Sequence, residues 1–190
     1  MSTSQKKSIR KLTTEEIFNR QPNLAQVKKL QRLPLFALIE NIRSMYNVGS
    51  IFRTSDAINL SELYLSGFTA KPPRKEIDKT ALGATESVPW EYTKDPVQLI
   101  DRLKKEQVEI VVVEHTNKSV NYAEISYNFP VCFIFGNEVE GVSDDIVIRA
   151  DKVVELPMLG IKHSLNVAVA YGIIMYDAFN KYRETTGYSA

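Results

Sequence analysis

"PVCFIFGNEVEGVSDD", residues 130–145, decides the fold class. Its first six residues are apolar without interruption. A strand with one wet face alternates apolar and polar residues, whereas a strand covered on both faces does not. The run stops at Phe135, Gly136 permits close backbone approach, and Gly141 leads to a helix start carrying Ser143, Asp144 and Asp145. "VEIVVV", residues 108–113, repeats the pattern, continuously apolar from Ile110 to Val113. A buried, mostly parallel sheet follows from such strands.

Outward from these two runs, strands are expected at "LPLFALI" (33–39), "ELYLS" (62–66), "SVPWEY" (87–92) and "KVVEL" (152–156). Helices are expected near Val48, after Asp95-Pro96, after Ser143 and from Asn166. Asp95 caps free N–H groups and Pro96 suits the first helical position, so that start is well marked. The alternation predicts an α/β fold with a mostly parallel sheet and helices on both faces. Residues 69–90, "TAKPPRKEIDKTALGATESVPW", read as the longest irregular loop. Its Pro72-Pro73 pair and four basic residues keep it exposed, as a solvated loop or as one that contacts substrate.

At 190 residues the chain fits one domain, or one domain with an appendage. The appendage is residues 1–32, where Lys6, Lys7, Arg10, Lys11, Arg20, Lys28, Lys29 and Arg32 face only Glu15 and Glu16. Thr13 with Glu16 three residues on is a capping-box pattern, so a short helix is expected there. The arm reads either as a solvated helical extension or as an RNA contact. The main domain spans 33–180, and 181–190 reads as a polar tail. Over the whole chain charge is balanced, with 24 Lys and Arg against 23 Asp and Glu, so any anion site must be local. The single Cys132 excludes an internal disulfide and suits a reduced, cytoplasmic setting. "MSTSQKKSIRKLTTEE" has no apolar signal region, and the longest apolar run, Val167 to Tyr176, is about half of the roughly 20 residues a membrane helix needs. A soluble protein with no membrane partner is expected.

Much chemistry is missing. No two of the eight glycines are separated by one residue, so no GxGxxG turn is present, and no G-x4-G is followed by the Lys of a Walker A loop. Two histidines and one cysteine without HxxxH or CxxC spacing leave a zinc site almost no ligands, and no metal is expected. Ser164 follows His163, but neighbours on a chain seldom aim at each other, and no GxSxG elbow exists.

Three polar clusters remain, each just after an apolar strand, where α/β sheets place ligands. In "ENIRSMYNVGSIFRTSDA" (40–57), Asn47 and Arg53 are nearly two turns apart and read as facing one end and side of their helix. The competing reading is an exposed Arg53 paired with Asp56 or Glu40. In residues 133–145, Glu138 and Glu140 would repel a phosphate but suit a cation or a hydroxyl-bearing ligand; the plainer reading is a strand-turn-helix junction with surface acids. In "LPMLGIKHSLNVAVAYG" (156–172), Ser164 and Asn166 are two good caps for one helix, with Lys162 and His163 adding donors. That helix is apolar on nearly every side, which predicts burial partly against another subunit.

Taken in order, the motifs N-x5-R (Asn47, Arg53), G-N-E-x2-G (Gly136 to Gly141) and P-M-x-G-x3-S-L-N-V (Pro157 to Val167) resemble the SpoU/TrmH family of RNA ribose 2'-O-methyltransferases of the SPOUT class. The resemblance covers about residues 33–180. It implies a C-terminal trefoil knot, a homodimer with the active site at its interface, S-adenosylmethionine as cofactor, and tRNA or rRNA as substrate. It carries catalytic roles to Arg53, Asn47, Glu138, Ser164 and Asn166. Cofactor contacts fall to Gly136, Leu156 and Leu165, with Met158 and Gly160 in the same motif. His163 is not required by the pattern. Two other functions stay open: a non-catalytic RNA-binding homodimer of the same fold, and a methyltransferase acting on a protein or small molecule.

Overall fold

The computed structural model describes residues 9–188. These divide into two units, up to Gln31 and from Arg32 onward. In the first, α1 (Thr14–Phe18) and α2 (Leu24–Val27) are short. The capping box is present: Glu16 N–H donates to Thr13 Oγ1 at 3.2 Å, and Thr13 N–H donates to a Glu16 carboxylate oxygen at 2.8 Å. Arg10 pairs with the same carboxylate at 2.6 Å. The Arg10 contact and then the Thr13 amide hold Glu16 down to a pKa of about 2. Arg10, Lys11, Arg20, Lys28 and Lys29 are exposed, while Lys6 and Lys7 lie outside the described residues. Arg32 does not belong to the arm. Its guanidinium donates to the Ser87 carbonyl at 2.6 Å, within the second unit.

The second unit runs β1 (Leu33–Glu40), α3 (Met45–Ala57), β2 (Leu60–Ser66), α4 (Lys75–Ala81), α5 (Ala84–Ser87), β3 (Trp90–Thr93) and α6 (Pro96–Lys105). There follow β4 (Glu109–Val113), β5 (Val120–Asn121), β6 (Val131–Phe135), α7 (Asp144–Val147), β7 (Lys152–Glu155) and α8 (Val167–Thr186). The sheet order is β3-β2-β1-β6-β4-β7-β5 and every pairing is parallel. Alternate residues of the central strands divide between two cores. Ala37, Ile39, Val111, Phe133 and Phe135 pack toward α3 and α8, whereas Leu38, Ile110, Val112, Cys132 and Ile134 pack toward α6 and α7. Both faces are therefore covered, which is why these strands are apolar throughout.

Three sequence readings change. The segment 69–90 is not an irregular loop, because α4 and α5 lie in it. Ile77 and Ala81, one turn apart, are buried on one face of α4. That face meets α3 at Gly49, where a Cβ would fall 2.1 Å from Thr80 Oγ1 and 2.3 Å from the Ile77 carbonyl. The two-residue strand β5 was not expected. Nor is 181–190 simply a polar tail, since α8 continues to Thr186 and ends on Gly187 at φ 70°. Elsewhere Asp95 caps α6 as its sequence implies, accepting from Gln98 N–H at 2.9 Å, a contact worth about 1 kcal/mol. Among the described residues no helix is long and apolar enough to cross a membrane, and no cluster of metal-ligating side chains occurs.

Candidate active site

Strand register places the site. Ile39, Phe135, Val113 and Val154 lie in one row across β1, β6, β4 and β7. The next residue on each strand is Glu40, Gly136, Glu114 or Glu155, so three carboxylates and a glycine line the carboxyl edge of the sheet. Ligands of open α/β sheets bind at this edge.

The carboxylates are occupied in holding loops. Glu40, only 5 % exposed, accepts from Ser143 N–H and Ser143 Oγ, each at 2.9 Å. Glu114 accepts from Val142 N–H at 3.0 Å and from His115 N–H at 2.8 Å. Asn137 closes the loop internally, its Oδ1 accepting from Val139 N–H at 2.9 Å and Glu140 N–H at 2.8 Å. The loop 136–143 is thus pinned from two strands. Its glycines are required by space: a Cβ on Gly136 would lie 2.1 Å from the Gly141 carbonyl, and one on Gly141, at φ 71°, would lie 2.1 Å from Glu114 Oε2. Glu155 accepts from Ser119 Oγ and faces His115 Nδ1 at 3.2 Å. These two contacts, Ser119 first, depress its pKa. Sequence reading missed Glu40, Glu114 and Asn137. The available signal was a glutamate closing each of the apolar runs of β1 and β4.

Above this edge the three polar clusters meet. Asn47 Nδ2 donates to Glu138 Oε1 at 2.8 Å, and Asn166 Nδ2 donates to Asn47 Oδ1 at 3.1 Å. The remaining Asn166 oxygen caps α8 by accepting from Ala168 N–H at 3.0 Å. Asn166 therefore caps the helix and joins the cluster at once. Asn47 in turn sits in the first turn of α3, whose N-cap Ser44 accepts from its backbone N–H at 3.3 Å.

Beside the cluster lies a cavity of about 310 Å³, lined by Glu138, Ser164, Gly136, Leu156, Met158 and Leu165 among others. Phe135 and Val167 add apolar wall, and Glu114, Glu140 and Glu155 add carboxylates, with no Lys or Arg in the lining. Such a lining suits a ligand with an apolar body and net positive charge. Asn137 Nδ2, buried at the cavity wall, has no hydrogen-bond partner among the described residues. Gly160 does not line the cavity, and a Cβ there would touch nothing within 4 Å.

Arg53 is elsewhere. It is exposed, has no ion pair among the described residues, and lines a second cavity of about 470 Å³ with Ser50, Thr54, Lys79, Thr80 and Tyr176. Six residues at about 100° each turn it well away from Asn47 on α3, so the expected shared side is not found. Neither expected ion-pair partner holds it: Asp56 accepts from Ser87 Oγ and Glu40 holds Ser143.

Similarity to known proteins points to one family. Residues 34–176 match the profile of the SpoU rRNA Methylase family. The chain is 35% identical over 167 residues to the tRNA (guanosine(18)-2'-O)-methyltransferase of Aquifex aeolicus, covering 87% of this chain and 78% of that protein. The protein of the same name from Escherichia coli strain K12 is 30% identical over 156 residues, 80% of this chain and 66% of the relative. Among solved structures, the A. aeolicus TrmH/SpoU tRNA modifying enzyme superposes with a TM-score of 0.78 at 34% identity, over 91% of this chain and 85% of that one. An AdoMet bound rRNA methyltransferase from Sinorhizobium meliloti gives 0.72 at 26%, over 84% of this chain and 60% of that one. With its parallel sheet, its clustered motifs and a profile match across the body of the sheet, the chain belongs to the SpoU rRNA methylase family.

Proposed function

We propose that this protein transfers a methyl group from S-adenosylmethionine to a ribose 2'-hydroxyl of a structured RNA, tRNA or rRNA. The observation that carries the reading is the Glu138–Asn47–Asn166 hydrogen-bonded chain beside an acidic, apolar-walled cavity. The names of the A. aeolicus and E. coli relatives make a guanosine of tRNA the first substrate to test.

The cavity fits the cofactor by chemistry. S-adenosylmethionine bears a sulfonium and an ammonium against one carboxylate, and the lining offers carboxylates and an unpaired Asn137 donor. Gly136, Leu156, Met158 and Leu165 would hold it, with Gly160 in the flanking loop. When bound, it supplies an electrophilic methyl group. The chain's own residues then have to orient the ribose, exclude water and stabilise negative charge on the attacking oxygen. Glu138 and Asn166 fix the Asn47 carboxamide from both ends, and Ser164, which makes no hydrogen bond among the described residues, is free to orient the ribose. Arg53 brings a guanidinium cation with a fixed fork of donors, so its role is to stabilise the developing alkoxide by charge.

Within one chain Arg53 and the Asn47 cluster line different cavities. A homodimer in which Arg53 of one protomer completes the site of the other resolves that separation. The exposed apolar residues Leu159, Ile161, Val169 and Tyr176 support such a contact, as does the uncovered side of α8. The trefoil knot belongs to the same reading. Incubation with labelled S-adenosylmethionine and, in parallel, total RNA, a protein extract or small-molecule extract tests the reaction. Label in RNA is the expected result; cofactor binding without transfer would favour the non-catalytic RNA-binding homodimer.

A further inference from the structure

Around the carboxyl ends of β1, β2 and β3 the surface repeats one arrangement, a cation lying over an aromatic ring. Arg43 Cζ is 5.6 Å from the Phe68 ring centroid, Lys71 Nζ is 4.0 Å from that of Tyr92, and Lys79 Nζ is 5.9 Å from that of Tyr46. Phe68 and Tyr46 are 52% and 48% exposed. None of the three cations forms an ion pair among the described residues, although Glu76 and Asp78 are exposed on α4. An exposed phenylalanine gains nothing from water.

The backbone beneath is built to hold this surface. Phe68 N–H donates to Asn41 Oδ1 at 3.2 Å, Ile42 N–H donates to Thr69 Oγ1 at 3.0 Å, and Tyr92 Oη donates to the Gly67 carbonyl at 2.8 Å. Gly67 stands at φ 62°, and a Cβ there would lie 1.9 Å from Asn41 Oδ1. The loops after β1 and β2 are therefore locked together, with Arg43 and Phe68 fixed against each other. Arg43 precedes Asn47 by four residues, and Lys79 shares a cavity with Arg53. The surface is continuous in chain and space with residues assigned to the reaction.

We propose that the ring of Phe68 under Arg43, with the Tyr92–Lys71 and Tyr46–Lys79 pairs, is a platform on which unpaired nucleotides of the RNA substrate stack next to the methylated residue. The inference rests on the RNA reading above and adds the part of the substrate that is bound. Rings accept any base face while the cations meet phosphates, which is how single-stranded RNA is held without reading its sequence. A duplex, with its bases stacked inside, offers such rings nothing.

The test uses the full chain with a fluorescent twelve-nucleotide oligoadenylate and with total tRNA, followed by anisotropy across a salt series. Phe68→Ala is expected to weaken oligoadenylate binding roughly tenfold with an unchanged salt slope, and Phe68→Trp to restore it. Lys71→Ala is expected to weaken binding and reduce the slope by about 0.7. Unchanged melting and S-adenosylmethionine affinity in Phe68→Ala exclude a folding defect. Wild-type oligoadenylate affinity in Phe68→Ala overturns the platform, and the same result with a shift toward monomer assigns the ring to a protein contact. Wild type that binds RNA through Phe68 but transfers no methyl group overturns the enzymatic reading and keeps the platform. Methyl transfer with an unchanged KM in Phe68→Ala overturns the platform and keeps the enzyme. Wild type that does neither overturns both.

Discussion

Asn166 and Asn47, 119 residues apart, meet side chain to side chain, with Nδ2 of Asn166 donating to Oδ1 of Asn47 at 3.1 Å. Because Asn47 spends its own donor on Glu138, the middle residue is fixed in orientation as well as in position. Asn47→Asp keeps the shape but sets a carboxylate against Glu138. Loss of a positioned hydrogen bond together with like-charge repulsion costs roughly 1–3 kcal/mol, so single-turnover methyl transfer should fall about ten- to a hundredfold. The fold should survive, as read by melting temperature. A variant as active as wild type would show that the hydrogen-bonded chain is incidental.

Gly136 is the tightest backbone approach in the loop that walls the cavity. A methyl group there must displace the Gly141 carbonyl, and overpacking of this kind costs roughly 1–3 kcal/mol. Gly136→Ala should lower the melting temperature by about 3–10 °C and weaken S-adenosylmethionine binding by calorimetry. Gly160→Ala, where a Cβ meets nothing, should leave the melting temperature unchanged.

Arg53 gives two linked expectations. Arg53→Lys should retain some activity and Arg53→Ala almost none, because charge rather than proton abstraction is required. If Arg53 serves the partner's site, Arg53→Ala and Asn166→Ala protomers are each inactive as homodimers but complement when mixed. Half of random dimers are then mixed and each carries one intact site, so about a quarter of wild-type activity returns. Absence of recovery in verified mixed dimers would place Arg53 in the site of its own chain.

Buried acids set the alkaline limit of stability. Burial raises the Cys132 thiol and, as the leading cause, the phenols of Tyr64, Tyr127 and Tyr171. The folded state keeps these protons while the unfolded chain loses them near pH 8.5 for Cys and 10 for Tyr, so their stabilisation is complete below about pH 8.5 and declines above it. Melting temperatures should fall between about pH 9 and 11, and Cys132→Ala should delay the onset toward about pH 10. A flat profile through that range would contradict the assignment.

Much of this was legible in residue order. Unbroken apolar runs announced β1, β4 and β6, and Asp95-Pro96 announced α6, because burial on two faces and helix capping are local or nearly local demands. The helices α4 and α5 were not legible. Their short apolar faces gain meaning only against Gly49 and α3, which no local pattern reports. Arg53 was misread for a different reason: six residues at about 100° each already turn it away from Asn47, and the helix places it in another cavity. The loop-holding roles of Glu40 and Glu114 were not legible, since they depend on β6 lying in register with β1, 96 residues earlier, and with β4, 22 residues earlier.

The most direct measurement is the position of the methyl group. Purified protein, labelled S-adenosylmethionine and transfer RNA are incubated, and the RNA is hydrolysed in alkali, which cannot cleave after a 2'-O-methylated ribose. Label in an alkali-resistant dinucleotide, with the methyl on ribose by mass spectrometry, is the expected result. Label on a base, or cofactor binding with no transfer to tRNA or rRNA, would contradict ribose 2'-O-methylation.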